Sequence, residues 1–258
     1  MRSPLLETRD LSVRFGGQTV VNRVNLKVYK KEFKSIIGPN GAGKTTLFNL
    51  LSGQLKPAEG SILYKGEEIT HLSPYMRTLK GIGRSFQLTN VFPNLPVFEN
   101  VRLAVQSQMG IRYEMRKTVA KYQGVLDKTW GILRLVLLEE QAFQLAKNLS
   151  HGDQRKLEIA CILALEPELL LLDEPTAGMS VEEVPLILEV IEKIKEEQDK
   201  TILLIEHKMD LILHLSDSVT VLYNGEFLAE GTPEEIMANE TVQTAYLGGL
   251  YDGKHAGS

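Results

Sequence analysis

The chain has 258 residues, 43% of them hydrophobic and 24% charged, enough for a substantial core in one domain or a core with a subdomain. A net charge of −4 argues against a nucleic-acid protein, whose footprint is basic. A single cysteine excludes an internal disulfide and fits a reducing compartment, and no apolar run reaches the ~20 residues of a membrane span.

The opening M-R-S-P-L-L-E-T is too short and too soon acidic to read as a secretory leader. Leu5 to Phe15 and Val20 to Val28 alternate apolar and polar residues, as half-buried strands do, and Gly16-Gly17 marks the turn between them. Phe33 to Ile37 predicts a strand that runs into a glycine-rich loop. Thr45 to Leu51 predicts a helix closed by Gly53. Strand-like pieces follow at Ser61 to Tyr64 and Ile82 to Phe86. From about Pro96 to Leu165 the pattern is helical. Leu169 to Leu172 is continuously apolar, the mark of a strand buried on both faces. A helix is predicted over Val181 to Gln198, a buried strand over Thr201 to Ile205 and a helix over His207 to Leu215. Val219 to Tyr223, Asn224-Gly225 and Phe227 to Ala229 spell a hairpin. Thr232 is placed to cap a short helix beginning at Pro233. Strands alternating with helices imply a parallel sheet, interrupted here by a helical block.

Gly38-Pro39-Asn40-Gly41-Ala42-Gly43-Lys44-Thr45 fits G-x-x-x-x-G-K-[ST] between a strand and a helix. Glycines let the backbone wrap closely, so consecutive N–H groups can cradle phosphates. In such a loop the lysine reaches the β/γ oxygens and the threonine ligates Mg²⁺. Leu169-Leu170-Leu171-Leu172-Asp173-Glu174 ends a buried strand in two acids, at the sheet edge where doubly wound folds bind ligands. Asp173 is placed to hold Mg²⁺ through water, and Glu174 to take a proton from an attacking water. Outside this context, two adjacent acids would be a solvated turn.

A second helix mouth lies at N-L-S-H-G-D-Q, Asn148 to Gln154. Ser150 can serve as N-cap, with Asp153 at N3 reaching back in a capping-box manner. Leu157, Ala160, Cys161, Ala164 and Leu165 would form one apolar face, which makes Cys161 a small buried hydrophobe. By themselves these residues read as an ordinary helix cap.

Gly38 to Thr45, Gln87, Leu149-Ser150-His151-Gly152-Asp153, Leu172-Asp173-Glu174-Pro175 and His207 stand in the order and approximate spacing of an ATP-binding-cassette (ABC) ATPase, which the chain resembles over nearly its whole length. The resemblance implies an α/β fold: a RecA-like P-loop NTPase core with an antiparallel β-subdomain and an inserted helical subdomain. Residues 1–87 and 166–258 would form the core with its β-subdomain, and 88–165 the helical subdomain with the signature motif. It implies ATP and Mg²⁺ as ligands, held by Gly38, Asn40, Gly41, Ala42, Gly43, Lys44, Thr45 and Thr46, with Thr45, Gln87 and Asp173 toward the metal. Phe15 resembles the aromatic that stacks on adenine, with a core aromatic as the other reading. Glu174, Gln87 and His207 resemble the catalytic glutamate, the glutamine that senses Mg²⁺ and water, and the switch histidine.

Family members work as head-to-tail pairs. Ser150 and Gly152 would therefore close on the γ-phosphate held by a second ATPase subunit, identical or not. Two departures from the usual L-S-G-G-Q stand out. His151 replaces the first glycine, as a solvent-facing residue or a phosphate donor, and Asp153 replaces glutamine. Ala177-Gly178-Met179-Ser180 occupies the dimer-contact loop without its frequent aspartate.

Such a cassette resembles the motor subunit of a membrane transporter. It is expected to be cytoplasmic, held at the inner face of the membrane by permease subunits through the block around Pro93 to Gln108, with no nucleic-acid partner. The segments Phe86 to Asn100, Ile205 to Met209, Leu228 to Ile236 and Ala245 to Gly249, with a long insert between Arg112 and Leu138, look most like the branched-chain amino acid importers. Urea/amide importers, lipopolysaccharide exporters and soluble non-transport cassettes are the alternatives.

Overall fold

The alternating segments near the start pair as an antiparallel sheet. A computed structural model describes residues 3–85, 91–111 and 123–245. Strands β1 (Leu6–Phe15) and β2 (Gln18–Val24) meet through Gly16 and Gly17, both at positive φ, so that Phe15 faces Gln18. The second predicted strand does not run unbroken to Val28. It splits into β2 and β3 (Lys27–Val28) because Asn25 leaves the ladder. The Asn25 amide donates to the Arg23 carbonyl and to Asp10, and its oxygen accepts the Asp10 N–H at 2.9 Å. Such local side-chain bonds compete with strand pairing. With β5 (Glu59–Tyr64) and β6 (Glu67–Glu68), the sheet order is β2-β1-β5-β6, and β3 lies on β1.

The second sheet contains β4 (Phe33–Ile37), β7 (Ile82–Arg84), β8 (Leu169–Asp173), β9 (Thr201–Ile205), β10 (Ser218–Tyr223) and β11 (Glu226–Gly231), in the order β11-β10-β4-β9-β8-β7. β10 and β9 run parallel to β4 on either side, and β11 returns antiparallel to β10. Every residue of β4, β8 and β9 is buried, as the apolar runs of β8 and β9 require; in β4 the buried Lys34 donates to the Lys27 carbonyl and pairs with Glu32 and Glu230. The β10–β11 turn is Asn224-Gly225, with φ of 49° and 80°, the left-handed pair a type I′ hairpin demands. Helix α1 (Lys44–Ser52) follows β4, and α2 (Pro74–Leu79) precedes β7. Helices α7 (Met209–Leu215) and α8 (Pro233–Met237) supply Ile212 and Ile236 to a cluster with Ile37, Val219, Val221 and Val242. Thr232 caps α8 with a complete capping box to Glu235.

The chain separates into two units. The first holds the residues up to Leu79, Leu171–Glu174 and those from Thr201 onward; the second holds Lys80–Leu170 and Pro175–Lys200. In the second, α3 (Val97–Gln108) packs on α4 (Gln123–Leu135) and on α5 (His151–Leu163), and α5 packs on α6 (Val184–Glu196). The entry to α3 is pinned by Asn100, whose side chain bonds the backbone of Phe92, Leu95 and Pro96.

Three local expectations need correction. α6 begins at Val184 rather than Val181, because Ser180 to Glu183 forms a turn that delivers Pro185 to the first helical turn. α5 does not bury a single stripe: Lys156, Glu158, Ile159 and Leu163 are buried as well, while Cys161 is half-buried. Burial pushes the Cys161 thiol up to about 12, so it is an inert side chain at neutral pH. Asp153 does not complete a capping box on α5. Its N–H donates to the Ser150 hydroxyl, but its carboxylate pairs with Lys156 at 3.1 Å.

Arg77 secures the end of α1. It is buried with no carboxylate partner among the described residues, and its guanidinium donates to the carbonyls of Leu50, Leu51, Thr70 and Leu72 at 2.6–3.2 Å. Burial lowers its pKa to about 10. Arg77→Met would strip these buried acceptors of their donor. The unfolding free energy measured in urea is expected to fall by about 3 kcal/mol; a change under about 0.5 kcal/mol, the range of neutral surface substitutions, would remove Arg77 from this role.

Candidate functional site

Three buried strands, β4, β8 and β9, end within the first unit where the predicted motifs begin. β4 ends at Ile37 and the loop opens at Gly38. A side chain at Gly38 would strike the Leu222 carbonyl at 2.1 Å, and one at Gly43 the Val20 carbonyl at 2.5 Å, so the loop passes where only glycine fits. Gly43, at φ 96°, occupies the N-cap of α1 and supplies no side-chain cap; no acid lies in the first turn. The helix mouth therefore presents N–H groups and the positive end of the dipole to whatever anion sits in the loop. The loop is braced from the opposite hairpin: the Gly225 N–H donates to the Ala42 carbonyl, and the Gly225 carbonyl accepts from Asn22.

Lys44 is buried beneath the loop. Its ammonium donates to the carbonyls of Gly38 at 2.8 Å and Pro39 at 3.0 Å. An ammonium has three protons, so the third is available for an anionic oxygen. Burial lowers the Lys44 pKa, while the charges of Glu174 and Asp173 act to raise it. The lysine thus lies within the field of both predicted acids. Thr45 and Thr46 follow in the first turn of α1, both partly exposed.

Asp173 closes β8 and is buried. Glu174 follows at φ 45°, a left-handed backbone rare for a non-glycine residue, and its N–H donates to the Ile205 carbonyl at 2.9 Å. This bond ties the acid to the end of β9, two residues before His207. The Glu174 carboxylate and His207 Nε2 are 2.9 Å apart. Glu206 fixes the turn into His207 by accepting its N–H at 2.7 Å. Phe15 stands at the end of β1, 48% exposed, so a core role is ruled out. Gln87 lies outside the described residues.

Ser150 and Gly152 open α5 in the second unit. Ser150 caps the helix, and His151 beside it is exposed. The Gly152 N–H is taken by Glu183, 3.1 Å away. Glu183 was not among the predicted site residues. Its one signal was the spacing Ser180-x-x-Glu183, which reads as the capping box of the predicted helix and does not point to Gly152. Gly225 was likewise read only as a turn residue, although its N–H holds the phosphate-type loop.

A glycine loop at an uncapped helix mouth, with two acids at the end of a buried strand of the same sheet, defines a P-loop nucleotide-binding fold. Within that class the chain belongs to the ABC transporter family: the family model of that description matches residues 21–177, and a second, for branched-chain amino acid ATP-binding cassette transporters, matches residues 228–252. It is 42% identical to the high-affinity branched-chain amino acid transport ATP-binding protein LivG of Escherichia coli K12, over 96% of this chain and 99% of that one. Among solved structures it is similar to the ADP conformation of MJ1267, an ATP-binding cassette of an ABC transporter (28% identity, TM-score 0.81, 95% of this chain and 99% of that one). It is also similar to the dimeric post-hydrolysis state of the cassette MJ0796 bound to ADP and Pi (25% identity, TM-score 0.72, 88% and 98%).

If the third Lys44 proton meets a nucleotide phosphate, Lys44→Ala should weaken ATP binding about 10- to 100-fold by calorimetry, the worth of one charged hydrogen bond. Unchanged affinity would exclude that contact.

Proposed function

We propose that this chain is the ATP-hydrolysing subunit of a membrane importer for branched-chain amino acids. The observation that carries the ATPase reading is the meeting, within one unit, of the uncapped α1 mouth, the buried Lys44, and the Glu174–His207 pair. The solute class is supported by the named function of LivG and by the match over residues 228–252.

In this reading Gly38, Asn40, Gly41, Ala42, Gly43 and Thr46 wrap the phosphates with backbone N–H groups, Lys44 neutralises the terminal ones, and Phe15 packs on the base. Thr45 and Asp173 offer hard oxygen donors of the kind Mg²⁺ takes. Mg²⁺ there would neutralise charge on the terminal phosphates. Glu174 orients the attacking water and accepts its proton, and His207 holds that carboxylate in place and reaches the γ-phosphate. Gln87 would report metal and water to the helical subdomain. Ser150 and Gly152 complete the nucleotide site of a second ATPase subunit, a role in keeping with the dimeric form of MJ0796.

The chain then works as one cassette, with residues 1–87 and 166–258 as catalytic core and 88–165 as helical subdomain. No helix among the described residues is long and apolar enough to cross a membrane. The transport role named for LivG supports placing the subunit on the inner membrane face through a permease. The second unit offers an apolar contact for it: Phe98, Trp130 and Phe143 cluster with ring centroids 5.1–6.3 Å apart, yet Phe143 remains 77% exposed.

Glu174→Gln keeps the shape of the site and removes the proton acceptor. ATP binding should persist while turnover falls at least about 100-fold. Near-normal turnover would reject Glu174 as the base.

A further inference from the structure

Glu183 bridges two segments of the second unit. One carboxylate oxygen accepts the Gly152 N–H at 3.1 Å; the other accepts the Ser180 N–H at 3.2 Å. The bond to Ser180 belongs to a local turn that also includes the Glu183 N–H on the Ser180 carbonyl. The bond to Gly152 is different in kind, because it spans 31 residues to reach the mouth of α5. A Cβ placed on Gly152 would meet Glu183 atoms as its nearest neighbours, at 3.4 and 3.7 Å. The space an incoming anion would use is therefore lined by this side chain. The two backbone donors, Ser180 first and then Gly152, hold the carboxyl below the usual range, with His151 adding a smaller attraction, so it is an anion at neutral pH.

A backbone N–H makes one strong hydrogen bond. While Glu183 accepts from Gly152, no phosphate oxygen can. We propose that Glu183 is an internal anion that occupies the mouth of α5 and is displaced by the partner subunit's ATP, so that pairing of two subunits is gated from within each chain. This rests on the assignment of Ser150 and Gly152 to the partner's nucleotide. Glu183 is a positioning residue in this scheme, since it acts on the Gly152 N–H and not on the reacting atoms. Release of the carboxylate from Gly152 breaks a tie between the Ser180 turn and the mouth of α5, while the turn keeps its own bonds to Glu183.

The test uses the full chain carrying Glu174→Gln, titrated with ATP and Mg²⁺ while dimer formation is followed by light scattering. Adding Glu183→Gln preserves the S-x-x-E/Q capping geometry but removes the charge. Adding Glu183→Asp preserves the charge but shortens the reach to Gly152. Both are expected to lower the ATP concentration for half-maximal dimer about fivefold, the difference between a charged and a neutral hydrogen bond. In the otherwise unmutated chain, both should lower the KM for ATP with little change in kcat. An unchanged or raised ATP requirement in both variants overturns the proposal. So does an effect of the glutamine variant alone, which would indicate a general charge effect in place of occupancy. If the Glu174→Gln parent forms no dimer at any ATP concentration, the assignment of Gly152 to a partner's nucleotide falls, and the gate falls with it. If the parent dimerises and the Glu183 variants do not differ from it, only the gate falls.

Discussion

Strands β4, β8 and β9 are buried at every position, so only Asp173, the last residue of β8, is placed to reach the edge where a solute would sit. Chemistry is otherwise confined to the residues just past their ends. The parallel register sets Ile36 opposite Ile205, so β4 and β9 end within one residue of each other. Gly38 follows one, and Glu206 and His207 follow another. Glu174, past the end of β8, is pulled into line by its N–H bond to Ile205. A glycine loop, a carboxylate and an imidazole widely separated in sequence are thereby delivered to one edge of one unit, as doubly wound sheets do. The same constraint explains the strained backbone of Glu174: an αL residue turns the chain sharply once the strand has ended.

The two helix mouths obey the same electrostatics and are treated in opposite ways. α1 begins at a glycine, with no side-chain cap and no acid in its first turn, and α5 begins with Ser150 on one N–H and Glu183 on another. Asp153, which stands where the family has glutamine, would oppose a phosphate. Its charge is met by Lys156, itself buried. The acid is thus balanced within its own helix, and the unusual L-S-H-G-D remains compatible with an anion at Gly152.

Features set by a few adjacent residues were legible in the sequence. Asn224-Gly225 formed its hairpin, Thr232 capped α8, and Gly38 to Thr45 formed a strand–loop–helix turn, because each rests on local backbone geometry. Features set by partners distant in the chain were not. The break between β2 and β3 depends on Asn25 meeting Asp10; the all-round burial of α5 depends on helices packed on both sides of it. Helix α2 escaped notice because Pro74–Leu79 is short and its large apolar residues, Tyr75, Met76 and Leu79, all face outward, so it shows no buried apolar stripe. Glu183 was hidden for a similar reason: its spacing reads as a cap, and only the fold shows the second bond.

The shared nucleotide site is tested most directly by mixing two inactive chains, one carrying Lys44→Ala and the other Gly152→Asp. The first lacks a working phosphate loop, and the second puts a carboxylate in the mouth of α5. Paired head to tail, the intact loop of the second chain would meet the intact mouth of the first. ATP turnover should be near background for each alone and reappear on mixing. A mixture as inactive as its parts, or a Gly152→Asp chain as active as the unmutated one, would contradict a site built from two subunits.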